Sequence, residues 1–145
     1  MSVGRVCVRE VDLAEAHESV QVAAERMNSR KVGTLVVFND DREPLGIITD
    51  RDLAVRVVAR GWDPRRTCVR DVMTRCPTTV NERTPIEDAL AVMRSGPFRR
   101  IPVVDNDQKL VGLLSIDDVL DLLSTEFGQI RDILQQESPV SLSGF

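Results

Sequence analysis

The sequence predicts an α+β fold built from two tandem β-α-β-β-α units, and three observations carry that prediction. The segment Leu45-Gly46-Ile47-Ile48-Thr49-Asp50-Arg51-Asp52 returns as Val111-Gly112-Leu113-Leu114-Ser115-Ile116-Asp117-Asp118. The offset from Gly46 to Gly112 is 66 residues, and the pairs Ala23/Ala89 and Met27/Met93 keep the same offset. Around each copy, short apolar runs bounded by turn residues alternate with stretches of helical spacing.

In the first unit, Val20, Ala23, Ala24 and Met27 fall on one face of a helix over residues 19–29, with Ser19 in place to cap it. Thr34-Leu35-Val36-Val37-Phe38 reads as a buried strand, Asn39 to Pro44 as a turn, and Leu45 to Thr49 as the hairpin partner. A helix opens at Thr49 or Asp50 and carries Leu53, Val57 and Val58. The second unit repeats the order. Thr84 is set as a cap with Pro85 at the first helical position, and Ile86, Ala89, Leu90 and Met93 give the apolar face. Ile101 to Val104 and Leu110 to Ser115 are the strands, joined by the turn Asp105 to Lys109, and a helix follows from Ile116 through Val119, Leu120 and Leu123. Val69 to Thr74 reads as a short helical lead-in to a strand near Thr78-Thr79-Val80.

These elements divide the chain into a first repeat at 1–61, a linker at 62–68, a second repeat at 69–124, and a C-terminal helix and tail at 125–145. Phe127, Ile130, Ile133 and Leu134 extend the helix, and Pro139 to Phe145 are expected to fray. A unit of about 60 residues buries too little surface to be comfortable alone, so the two are expected to share one core.

The chain has 145 residues, 42% hydrophobic and 29% charged, with a formal net charge of -4, which is an ordinary globular composition. The basic residues are interleaved with Asp and Glu and form no long stripe, there is no Tyr, and Trp62 is the single Trp, so nucleic acid is not an expected partner. No apolar run is long enough to span a membrane and the N-terminus lacks a signal-peptide layout, which predicts a cytoplasmic chain. Cys7, Cys68 and Cys76 show no C-x-x-C spacing, and His17 is the single His, so neither a zinc site nor a disulfide framework is supported.

With these residues in view, the chain resembles a pair of CBS domains, the module named after cystathionine β-synthase and also called a Bateman module. The resemblance covers about residues 8–124. It rests on the lead-in Val69-Arg70-Asp71-Val72-Met73-Thr74, the strand Arg99-Arg100-Ile101-Pro102-Val103-Val104-Asp105, and the two Gly-x-x-Thr/Ser-x-x-Asp signatures. It implies repeats packed sheet to sheet about a pseudo-twofold axis, with two clefts that receive adenosine ligands such as AMP, ADP, ATP or S-adenosylmethionine.

The resemblance also implies that each cleft is crossed, the signature of one repeat facing the first strand and pre-strand pair of the other. One nucleotide site then combines Ile47, Thr49, Arg51 and Asp52 with Thr78, Arg99 and Arg100. The other combines Leu113, Ser115, Asp117 and Asp118 with Asp12 and Val32-Gly33, and has no aligned base unless Arg30 or Lys31 turns in. Unequal clefts follow, the Arg99-Arg100 side taking the charged nucleotide. Several of these residues also have a plainer role. Asp52 and Asp118 fit helix capping as well as a ribose diol, Thr49 and Ser115 fit capping as well as phosphate or ribose, Ile47 and Leu113 fit the core as well as an adenine slot, and the arginine pair fits a solvated surface.

No nucleophile with its base, separated acid pair or metal cluster is visible, so no enzyme activity is expected. The expected function is a regulatory module that senses an adenine nucleotide and signals through a homodimer to a separate effector protein. No cofactor is required, and magnesium is admitted alongside ATP. The alternative is a non-catalytic scaffold with degenerate clefts.

Overall fold

A computed structural model describes residues 1–75, 78–96 and 98–136. Cys76 and the fraying expected at Pro139 to Phe145 lie outside the described residues. Helix α1 (Val3–Val6) and strand β1 (Leu13–Glu15) precede helix α2 (Val20–Arg30) and the hairpin β2 (Thr34–Phe38) and β3 (Pro44–Thr49). Helix α3 (Asp50–Leu53) runs into a π-helical turn at Ala54–Val58, and α4 (Val69–Val72) leads to β4 (Thr74–Arg75). The second repeat has β5 (Val80–Asn81), α5 (Ile86–Ser95), the hairpin β6 (Arg100–Val104) and β7 (Leu110–Ser115), and the long α6 (Ile116–Gln136).

One sheet has the order β1-β2-β3-β4 and the other β5-β6-β7. The repeat extends to register: Thr34 pairs with Thr49 and Arg100 with Ser115, and both hairpins carry a bulge, at Val37/Phe38 and at Val103/Val104. This is the α+β pair of repeats related by a pseudo-twofold axis.

Local chemistry explains most of the boundaries. The Ser19 hydroxyl accepts the Val22 N–H and starts α2, which ends at Lys31 in the left-handed region with φ 58°. Before α5 the expected cap at Thr84 is not used. Pro85 itself is the N-cap, at the extended φ -61° and ψ 147° with no side-chain hydrogen bond, because the helix begins one residue later at Ile86; the Thr84 carbonyl accepts the Val3 N–H. The lead-in also does more than expected: after α4 the chain forms β4, which pairs back with β3 before reaching β5.

The two halves do not share one core. Val20, Ala23, Leu35, Ile48, Val69 and Val72 close one buried cluster, and Val3, Val80, Ala89, Ile101, Leu114 and Val119 close another. The opposite sheet faces bury Val36 and its repeat mate Pro102. The layers are exchanged along the chain: α1 packs with the second repeat's cluster, and α4 and β4 pack with the first repeat's.

That exchange accounts for the repeated glycine. A Cβ on Gly46 would lie 2.6 Å from the Thr74 carbonyl oxygen, and one on Gly112 would lie 2.8 Å from Cys7 Sγ and 2.9 Å from the Val8 carbonyl oxygen. Each signature strand is crossed closely by a segment that precedes the other repeat, and only glycine leaves room.

Candidate functional site

Each signature ends in a reciprocal cap. Thr49 N–H donates to Asp52 Oδ2 at 3.0 Å and Asp52 N–H to Thr49 Oγ1 at 3.1 Å; Ser115 and Asp118 repeat the pair at 3.0 and 3.2 Å. The capping roles weighed for these four residues are therefore real. They leave one oxygen of each carboxylate uncommitted to the cap; among the described residues, the cation nearest Asp52 Oδ1 is Arg56, with Nε at 3.8 Å.

The first cleft has a volume of about 400 Å³ and brings together all seven residues expected there: Ile47, Thr49, Arg51, Asp52, Thr78, Arg99 and Arg100. Among the described residues, Thr74, Arg75, Phe98 and Pro102 also line it. Arg75 sits on β4, whose pairing with β3 was not legible in so short a strand. Phe98 adds the one aromatic face, next to the arginine pair. Among the described residues, the lining holds four arginines against one carboxylate, a strongly anion-attracting set.

The second cleft, of about 270 Å³, is lined by Asp12, Val32, Gly33, Leu113, Ser115 and Asp118 as expected, with Val8, Glu10, Val11, Thr34 and Arg100 added. Two expectations are corrected. Asp117 does not line it, because it lies one position from Asp118 on α6 and its side chain is exposed. The cleft also does not lack a base: Arg100 borders both clefts, since its side chain is long enough to reach where Thr34, its repeat mate, cannot. Arg30 stays outside the wall, with Nε 2.7 Å from Asp12 Oδ1. Three carboxylates, Glu10, Asp12 and Asp118, still outnumber the one arginine of the lining.

The two pockets, each lined by residues of both repeats and sharing Arg100, match a crossed pair of repeats, and the repeat signature decides the family. The CBS domain model matches residues 3–59 and again residues 69–125. The chain belongs to the CBS-domain family. An uncharacterised protein of Methanopyrus kandleri is 36% identical over 120 residues, 83% of this chain and 61% of its own length. Hypoxic response protein 1 of Mycobacterium tuberculosis is 30% identical over 119 residues, covering 82% of this chain and 78% of that protein. Two Arabidopsis thaliana CBS-domain proteins are matched over only 23% of their length, so this CBS pair spans a fraction of some of its relatives. Among solved structures, the CBS protein CBSX2 in complex with AMP shares 28% identity at a TM-score of 0.71, covering 86% of this chain and 96% of that one. A hypoxic response protein crystallised with two coordinated zinc ions shares 26% identity at a TM-score of 0.74, over 83% of this chain and 98% of that one.

Among the described residues of this CBS pair, no three His, Cys, Asp or Glu side chains gather as a metal site, and no helix is long and apolar enough to cross a membrane. Cys7 is buried, which pushes its thiol pKa up, and Cys68 is half-buried; among the described residues neither is in a disulfide.

Proposed function

We propose that this CBS pair is a regulatory module that binds an adenine nucleotide with its phosphate in the first cleft. The observation that carries this reading is the charge difference between two otherwise repeated clefts: Arg51, Arg75, Arg99 and Arg100 face Asp52 in one, whereas Glu10, Asp12 and Asp118 face Arg100 in the other. Charge-assisted contacts to phosphate contribute about 1.5–3 kcal/mol each, so the first cleft favours a charged nucleotide and the second a ligand of lower negative charge. Ile47, Phe98 and Pro102 supply the apolar slot for a purine, and Asp52 an acceptor for a ribose hydroxyl. The AMP complex of CBSX2 supports this ligand class.

Binding at the cap of α3 and beside β6 biases how the two repeats pack. The signal passes to a separate effector through a dimer of this chain, a reading supported by the exposed Val55, Val58, Leu120 and Leu123 on the helices that lead away from the clefts.

Calorimetric titration of AMP, ADP, ATP and S-adenosylmethionine tests the proposal. One nucleotide per chain is expected to dominate; Arg99→Ala weakens it about tenfold or more and Asp118→Ala leaves it unchanged. Two equal sites, or loss in Asp118→Ala but not in Asp52→Ala, would refute it. Occupancy at 100 times the dissociation constant stabilises the fold by about 2.7 kcal/mol, so an unmoved melting curve at millimolar ligand favours the scaffold alternative.

A further inference from the structure

Helix α6 has two apolar faces, and the repeat uses only one. Val119 is buried in the second cluster and Ile116 packs against it. Leu120, Leu123, Phe127, Ile130 and Leu134 point away, each more than two-fifths exposed. Their spacing is three, four, three, four, which is the a and d alternation of a coiled coil, and Thr125, Gly128, Gln129, Asp132, Gln135 and Gln136 fill the outward positions.

Past Leu123 none of the described helix residues is buried, so about 20 Å of helix stands clear of the CBS body. Such a stretch, interrupted by Gly128, is marginal as an isolated helix and needs a covering partner.

The flanking charges identify that partner. With Leu120, Phe127 and Leu134 at a, Glu126 is at g and Arg131 at the following e. In a parallel, in-register pair, g of one helix meets e of the next heptad on the other, so Glu126 and Arg131 form two symmetric ion pairs across the seam. An antiparallel pair sets g against g and e against e, opposing like charges. Among the described residues, Arg131 is paired with the exposed Asp132 alone, with Nε 3.9 Å from Oδ1.

We infer that the C-terminal half of α6 is a parallel two-stranded zipper with a second copy of this chain. The zipper fixes the two copies side by side with their α6 helices pointing the same way. It rests on the self-association proposed above and not on nucleotide binding.

Sedimentation velocity of the full chain, without nucleotide, is expected to give a dimer. Glu126→Lys and Arg131→Glu each turn two attractions into repulsions and raise the dimer dissociation constant about tenfold, while the double variant, which restores opposite charges, recovers it. Both positions are exposed, and far-UV circular dichroism checks that the fold is kept. Leu134→Cys is expected to cross-link the dimer on oxidation beyond the wild-type background, because parallel helices bring the two 134 positions together. A monomer at all concentrations, a dimer indifferent to the charge swaps, or a dimer in which Leu134→Cys does not cross-link overturns the inference. None of these results bears on AMP binding, which is read separately by calorimetry.

Discussion

Asp52 divides its two carboxylate oxygens between two tasks. Oδ2 accepts the Thr49 N–H and holds the start of α3, while Oδ1 lies beyond hydrogen-bond distance of Arg56 and is available to a ligand hydroxyl. Two substitutions separate the tasks. In Asp52→Asn the amide oxygen keeps the cap and an NH2 replaces Oδ1, so the melting temperature is expected to hold while AMP affinity falls about tenfold, the size of one charge-assisted bond. Asp52→Ala loses the ligand contact and also about 1 kcal/mol of cap. Calorimetry beside thermal melts of both variants checks this; wild-type AMP affinity in Asp52→Asn would leave the residue a cap alone. The sequence pointed to both roles, because an acid three residues after a Thr or Ser fits either. It also pointed to Arg99 and Arg100 as a pair. It did not show that Arg100 borders both clefts, since that depends on how the two sheets face one another.

At the scale of elements, Glu18 ties β1, α2 and α4 together. Its carboxylate accepts Arg26 Nη2 at 2.9 Å and the Glu15 N–H at 3.1 Å, and its carbonyl accepts the Val69 N–H at 2.9 Å. Burial pushes the carboxyl pKa up, but the Arg26 guanidinium and the Glu15 N–H outweigh it and hold the carboxyl below the usual glutamate range. A lowered folded-state pKa means the stabilisation is fully present above the unfolded value of about 4.3 and is lost as pH falls through the folded value. Glu18→Gln is therefore expected to cost about 1–3 kcal/mol near neutral pH, with the gap to wild type closing below about pH 4. Urea unfolding at neutral and acid pH measures it; a gap independent of pH would mean that charge is not what Glu18 contributes. The longer elements were legible because apolar residues recur at strand or helix period over five residues or more. Strands β1 and β4, of three and two residues, carry no period to read. The π-helical turn has ordinary helix composition and is visible through hydrogen bonds that reach five residues back, such as the Ala59 N–H donating to the Ala54 carbonyl.

At the scale of the whole molecule, the segment before each repeat closes the other one. Residues 64–75 supply α4 and β4 to the first, and residues 1–8 supply α1 and the Val8 bridge to the second. The N-terminal strap is held by Val3 and Gly4 N–H groups donating to the Thr84 and Glu82 carbonyls, both at 2.8 Å, and by Arg9 paired with Glu82 at 2.8 Å. Val3 is fully buried in one cluster with Val80, Ala89 and Leu114. The strap also walls the second cleft through Val8, Glu10, Val11 and Asp12, so its docking and the shape of that cleft rise and fall together. Placing a charge at Val3 leaves it unpaired in an apolar cluster. Val3→Asp is therefore expected to cost about 3 kcal/mol or more, whereas Val22→Asp, on the exposed side of α2, stays within about 1 kcal/mol of wild type. Urea denaturation of the two variants decides it. Equal stability would mean that the second repeat closes without its strap, and that the exchange of segments contributes nothing to holding the pair together.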